Sequence, residues 1–337
     1  MPPASPRPAL GAVVLGGYLG AGKTTLVNHL LRHAQGRRIA VLVNDFGEIG
    51  IDAQLIESRD GDVLNLAGGC VCCSVGSDLV GALIELPRRV PAPDVVLIET
   101  SGVALPGSVA RSARLADGIE VEGVVVLADA ETIRQRATDR YVGDTVMQQL
   151  RDADLLVINK TDLVGAEALA ELRAWLAATA PRARVLEAVD AEVPAELVLG
   201  VRIDDLPPHA LQRSGGGLFA GDPGARRAMR RQPAASRTYA SRSVRLPGPI
   251  DASALARDLT DPAIGLVRAK AIVTDRDGSR KVVQVVGPRA TVTPLRAAQP
   301  GVPGAPADEG AGSLVCIAVR AQFDEAALLR CLGAHGA

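Results

Sequence analysis

Gly17-Tyr18-Leu19-Gly20-Ala21-Gly22-Lys23-Thr24 decides the reading of this chain. It fits a phosphate-binding template: a glycine, four residues, then Gly-Lys-Thr. Ahead of it, Ala12 to Gly16 is a short apolar run that reads as a buried strand. Behind it, Leu26, Val27, Leu30 and Leu31 recur at helical spacing. Strand, glycine turn and helix N-terminus are the context the template needs. Without Cβ atoms the loop can wrap an anion so that successive N–H groups point at its oxygens. The helix dipole adds positive potential at the same place. Lys23 then reaches the outer phosphates, the Thr24 hydroxyl is placed to ligate Mg²⁺, and Gly17, Gly20, Gly22 and Thr25 complete the cradle. A glycine turn with no ligand is the plain alternative, and the flanking strand and helix weigh against it.

At 337 residues the chain has room for two domains of ordinary size. A net charge of −1 and 2% aromatic residues argue against a dispersed polyanion surface and against base-stacking platforms, so no nucleic-acid partner is expected. No apolar run reaches the roughly 20 residues of a membrane span, so no membrane association is expected either. The Pro/Ala-rich start gives no export signal. Five cysteines, three of them within four positions, then suggest reduced thiols and a cytoplasmic location rather than a disulfide framework.

Further motifs follow at strand ends. Residues 38–45 read as a second buried strand, running into Asn44-Asp-Phe-Gly-Glu48 and on to Asp52. Acidic residues at the C-terminal end of a parallel strand lie on the ligand side of such sheets, which makes Asp45 and Glu48 candidates for Mg²⁺ or a second metal. A solvated acidic loop is the alternative. Val63 to Leu66 leads into Gly68-Gly-Cys70-Val-Cys72-Cys73. Thiolates two residues apart can aim at one soft cation such as Zn²⁺ or Co²⁺, although three cysteines leave a tetrahedral site one ligand short. Inert buried thiols and a redox pair of Cys70 with Cys73 are the competing readings. Residues 94–102 form a strand ending in Glu99-Thr-Ser-Gly102, which puts a carboxylate where it can hold Mg²⁺ or orient the attacking water.

Residues 154–162 are another core strand, finishing Asn159-Lys160-Thr161-Asp162. A carboxylate such as Asp162 accepts both N1–H and N2–H of guanine, a pair that adenine does not offer. The Lys160 stem can cover the ring. Guanine over adenine follows.

Strands and helices alternate to about residue 206, so the expected fold is α/β, a mainly parallel sheet flanked by helices. Residues 207–237 hold Gly215-Gly-Gly217, several prolines and many arginines without periodicity, and read as a flexible linker. Residues 238–337 read as a smaller α+β unit, with strands over 238–245, 266–274, 281–286 and 313–320 and helices over 251–259 and 324–331.

Gly17–Thr24, Asn44–Asp52, Gly68–Cys73, Glu99–Gly102 and Asn159–Asp162, in that order, resemble the CobW-like GTPases, a family of P-loop metallochaperones. The likeness extends more weakly to Arg268-Ala-Lys270, Gln284-Val-Val-Gly287 and the final strand and helix, which look like that family's C-terminal domain. The resemblance implies GTP hydrolysis tied to delivery of a transition metal held by Cys70, Cys72 and Cys73. It also implies service in zinc homeostasis, in cobalt insertion for cobalamin, or in nitrile hydratase activation. Asp45 stands where many members carry Glu, and residues 207–237 hold one histidine, His209, where many members have a histidine-rich run. The expectation is therefore a GTPase with Lys23 and Glu99 as catalytic residues. GTP and Mg²⁺ are its cofactors, Zn²⁺ or Co²⁺ its metal, and a client metalloprotein its partner. A regulatory GTPase with structural zinc, or a metal buffer without catalysis, is the alternative.

Overall fold

Strand β1, Leu10–Gly17, is almost wholly buried along its length rather than on alternate residues. That is the signature of a parallel strand covered on both faces. The computed structural model describes residues 9–34, 36–44, 63–65, 75–200, 238–295 and 312–336. The chain divides into two compact units, Met1–Leu199 and Gly200–Ala337.

In the first unit β1 is joined by β2 (Ile39–Asn44), β3 (Val63–Asn65), β4 (Val95–Thr100), β5 (Ile119–Asp129), β6 (Leu155–Asn159) and β7 (Arg184–Glu187). All pairings are parallel, and the strand order is β3-β2-β4-β1-β5-β6-β7. The order reverses around β1, the place where doubly wound sheets open a crevice at their C-terminal edge. The phosphate-loop template starts at that edge.

The helices are α1 (Lys23–Arg32), α2 (Val75–Glu85), α3 (Pro106–Ala113), α4 (Ile133–Ala137), α5 (Gly143–Asp152), α6 (Ala166–Thr179) and α7 (Ala195–Leu199). Leu79 and Leu83 of α2, Val109 and Ala113 of α3, Val146 and Leu150 of α5, and Leu172 and Leu176 of α6 share one core with Ala12, Val14, Val96 and Ile98. Val13, Leu15 and Leu97, one residue out of step, are equally buried but lie outside that core, as the period-two pleat requires. The first helix packs on β1 and buries Leu26, Val27 and Leu30. Each fully buried leucine contributes about 1.5–3 kcal/mol by leaving water.

The second unit is an antiparallel five-stranded sheet, order β11-β10-β9-β12-β8, built from β8 (Tyr239–Leu246), β9 (Leu266–Thr274), β10 (Arg280–Val286), β11 (Arg289–Pro294) and β12 (Gly312–Val319). Helices α8 (Ala252–Asp258) and α9 (Glu325–Ala334) bury Leu255, Leu328 and Leu332 against it. Asp251 and Asp324 cap them by accepting the backbone N–H of Ala254 and Ala327. The α+β reading of this region agrees with the structure, and the hairpin falls at Asp275–Gly278 as its turn residues indicate. Helices α3, α4, α5 and α7 and strand β11 are additions that the sequence pattern did not single out. The linker expected over 207–237 lies outside the described residues. Among the described residues, no helix is long and apolar enough to cross a membrane.

His29 ties α1 to the segment after β7. It is buried, and its Nε2 lies 2.9 Å from the Val193 carbonyl, a contact in which the ring donates. Desolvation, reinforced by His33 and opposed by the Val193 bond, holds its pKa below the usual value near 6.5. As pH falls below about 6.5 the unfolded chain takes up the proton first. The stability His29 contributes is thus complete above that pH and is lost toward its lower folded pKa. His29→Gln keeps a donor without the titration. Acid titration followed by fluorescence of Trp175, the only tryptophan, should therefore show wild type losing more stability than the variant between pH 7 and 5. Parallel curves would refute this role for His29.

Candidate functional site

The chain turns from β1 into α1 through Gly17–Gly22. Gly22 is the N-cap of α1 and adopts φ 100°, a left-handed conformation that glycine accepts without strain. A Cβ there would sit 2.4 Å from the Asn159 Nδ2, and one on Gly17, at φ 136°, would sit 2.5 Å from the Leu127 carbonyl oxygen. Both glycines are required by close approach as well as by torsion. Helix α1 carries no side-chain cap and no acidic residue in its first turn. Its positive end is therefore left for an anion.

Lys23 is 7% exposed, and its ammonium donates to the carbonyl oxygens of Gly17 (2.9 Å) and Tyr18 (3.4 Å), lying along the loop it belongs to. Thr24 donates its hydroxyl to Glu99 Oε1 at 3.1 Å, with Glu99 only 2% exposed at the end of β4. Hydroxyl and carboxylate oxygens side by side are the hard donors that suit Mg²⁺. The Thr100 and Ser101 hydroxyls beside them are buried and, among the described residues, have no hydrogen-bond partner. Buried hydroxyls cost free energy in that state, so this strand end fits a polar ligand. Gly20 lies in the same loop, and Thr25 is exposed on the first turn of α1.

Asn159 is buried at the end of β6. Its Nδ2 donates to the Ala21 carbonyl (3.0 Å), and its Oδ1 accepts the N–H of Ala191 (2.8 Å). Lys160 adopts φ 61° and pairs with Asp129 Oδ2 at 2.6 Å. Asp162 follows in a 3-10 turn, Thr161–Leu163, and is exposed. The structure thus brings Gly17–Thr25, Glu99 and Asn159 together at one edge of the sheet, with Lys160 and Asp162 directly following Asn159.

Asp45, Glu48, Cys70, Cys72 and Cys73 lie outside the described residues. Among the described residues, no group of three or more His, Cys, Asp or Glu side chains is placed to hold a metal. Cys316 is fully buried and Cys331 partly so, and burial pushes their thiols up to about 12 and about 11. Neither is a thiolate near neutrality.

Two participants escaped the sequence reading. Asp129 closes β5 and holds Lys160 while its Oδ1 accepts the Glu131 N–H, and its only signal was an acid at a strand end. The Ala188–Ala191 segment accepts from the Thr161 N–H and hydroxyl and supplies the Ala191 N–H to Asn159. These are backbone contacts, which side-chain identity does not announce.

The family model described as CobW/HypB/UreG, nucleotide-binding domain, matches residues 11–187. Zinc chaperone CobW of Pseudomonas aeruginosa is 35% identical over 238 residues, covering 59% of this chain and 64% of that protein. Zinc-regulated GTPase metalloprotein activator 1 of Schizosaccharomyces pombe is 34% identical, covering 52% of this chain and 44% of that protein. Zinc chaperone YjiA of Escherichia coli is also 34% identical, covering 51% of this chain and 56% of that protein. The chain therefore spans 44% to 64% of the length of these relatives. With more than half of it matched by the family model, and its phosphate loop, Glu99 and Asn159 meeting at one sheet edge, this chain belongs to the CobW/HypB/UreG family through its nucleotide-binding domain.

Proposed function

We propose that the chain is a GTPase that binds a divalent transition metal, Zn²⁺ first and Co²⁺ second, and delivers it to a client metalloprotein. The observation that carries the nucleotide half is the Thr24–Glu99 contact at the mouth of a loop whose Lys23 is already buried over it. Lys23 and the loop N–H groups bind the phosphates, and Asp162 selects guanine. Thr24 and Glu99 would hold Mg²⁺, which neutralises charge on the outer phosphates when bound. Glu99 also orients the attacking water. The names of the relatives support zinc as the cargo. Cys70, Cys72 and Cys73, with Asp45 and Glu48, are the assigned ligands. Thiolates crowded within four residues call for a reducing compartment, so we place the activity in cytoplasm. Nucleotide chemistry belongs to residues 1–206, and residues 207–237 link it to the unit formed by 238–337.

Lys23→Ala should lower GTP turnover by about a hundredfold or more, because it removes a charge that stabilises the transferring phosphoryl group. Asp162→Asn should lower the preference for GTP over ATP by at least about tenfold, measured as the ratio of kcat/KM values. Equal turnover of GTP and ATP by the wild type would end the guanine assignment.

Cys72→Ala should weaken Zn²⁺ or Co²⁺ binding by well over tenfold, more than about 1.4 kcal/mol, in a competitive titration. Cys316→Ala and Cys331→Ala should leave it unchanged, because their thiols stay protonated. Similar losses for all of these variants would remove the claim of one localised metal site.

The same titration in two nucleotide states tests delivery. A non-hydrolysable GTP analogue with Mg²⁺ should tighten metal binding relative to GDP by about 5- to 150-fold, and Glu48→Ala should shrink that ratio more than it shrinks GTP affinity. Equal dissociation constants in the two states would favour a GTPase switch carrying structural zinc.

A further inference from the structure

Gln149, on α5, is among the most deeply buried polar residues of those described, at 1% exposure. Its carboxamide nitrogen donates to the Gly102 carbonyl at 3.0 Å and to the Ala104 carbonyl at 2.8 Å. Two carbonyl partners demand the nitrogen end of the amide, so the side chain's orientation is settled by its surroundings. Both acceptors lie in the segment between Glu99 and α3. Three residues further along α5, on the same helix face, Asp152 Oδ2 accepts the Gly107 N–H at 2.9 Å. One helix therefore holds the segment near its start and again where α3 begins.

On its other side that segment abuts the phosphate loop. A Cβ on Gly102 would lie 2.5 Å from Leu19 Cδ2 and 2.9 Å from the Leu19 backbone nitrogen. Gly102 has no slack toward Leu19, and its carbonyl is pinned from behind by Gln149. Within the segment, the Ala104 N–H bonds to the Ser101 carbonyl, a single turn contact. Such a turn is too little to fix the segment's distance from the loop.

We propose that Gln149 is a positioning residue for nucleotide hydrolysis: its two donated hydrogen bonds fix Gly102 and Ala104 against the phosphate loop, and through them the Glu99 strand end. This rests on the GTPase reading above. Gln149 touches neither substrate nor metal. It sets the geometry required in the transition state rather than in the bound ground state, so its loss lowers kcat while leaving KM and GDP affinity in place.

Gln149→Met keeps the side chain's length and removes both donors. Its kcat for GTP, per mole of bound nucleotide, should fall about tenfold or more, with KM for GTP and Kd for GDP within about twofold of wild type. Hydrogen exchange at the amides of residues 101–105, read by mass spectrometry in the same proteins, should be at least about tenfold faster in the variant. Wild-type protein that does not hydrolyse GTP sinks the GTPase reading. Wild type that turns over while Gln149→Met matches it in kcat overturns the role of Gln149 alone, and unchanged exchange overturns the clamp whatever turnover shows. Should Gln149→Met fail to fold, Gln149→Glu decides. Its protonated acid can still donate one hydrogen bond, whereas its carboxylate faces two carbonyl oxygens. At most one of the two donated hydrogen bonds survives, so turnover should stay below wild type from pH 5 to 8, and turnover equal to wild type across that range would overturn the proposal.

Discussion

The carboxamide of Asn159 is the contact on which the nucleotide site depends. It reaches back across the sheet edge to the Ala21 carbonyl in the phosphate loop and forward to the Ala191 N–H. The loop that grips phosphates and the segment that carries Lys160 and Asp162 thereby share one buried side chain. Its closeness explains Gly22, because any Cβ at that position would strike the Asn159 nitrogen. A buried amide with both ends satisfied resists displacement, since a move in any direction leaves a donor or an acceptor unpaired at about 1–3 kcal/mol. The spacing between the Gly17–Gly22 loop and the segment that carries Lys160 and Asp162 is thus held by one side chain.

Around that contact, charge is placed where the sheet edge can hold it. Lys160 leaves β6 in a left-handed conformation and pairs with Asp129 from the neighbouring strand. The ion pair orients the lysine stem and leaves Asp162, two residues on, exposed to a ligand. Lys23 and Glu99, by contrast, are buried beside the loop. Burial strengthens their electrostatic influence on anything bound there. The sheet edge therefore divides into a desolvated half at Lys23 and Glu99 and a more exposed half at Lys160 and Asp162.

Most of this was legible in the sequence because each part rests on side chains that cannot be exchanged. Glycines at Gly17 and Gly22, the amine of Lys23, the carboxylate of Glu99 and the amide of Asn159 are chemical requirements, and their strands read as apolar runs. What was not legible rests on packing and backbone. Helix α5 begins at a glycine after Val142 and has no side-chain cap, so its start carries no capping signal. Gln149 looks like any surface glutamine until the fold buries it between α5 and the residues after Glu99. Strand β11, half-buried along most of its length and at the sheet's rim, lacks a clean alternation. The residues assigned to metal binding form the most distinctive motif of the sequence, and the described structure ends on either side of them.

Strand register shows where β2 and β3, the strands that precede the acidic and cysteine stretches in the chain, end relative to Glu99. Asn65 of β3 pairs with Val43 of β2, Val43 with Glu99 of β4, and Glu99 with Leu15 of β1. One cross-sheet row thus links the last residue of β3, the penultimate residue of β2, the carboxylate beside Thr24, and the strand that feeds the phosphate loop. Asn44, the last described residue before Asp45, pairs with Thr100 next to Glu99. Strands β2 and β3 both end on the sheet edge where Glu99 stands, with β2 alone between β3 and β4. Hydrogen-bonded parallel strands lie about 4.8 Å apart, so a shift of Glu99 has two strand spacings to cross before reaching the end of β3. A displacement of Glu99 can therefore reach the ends of β2 and β3 along one row of hydrogen-bonded strands within the first unit.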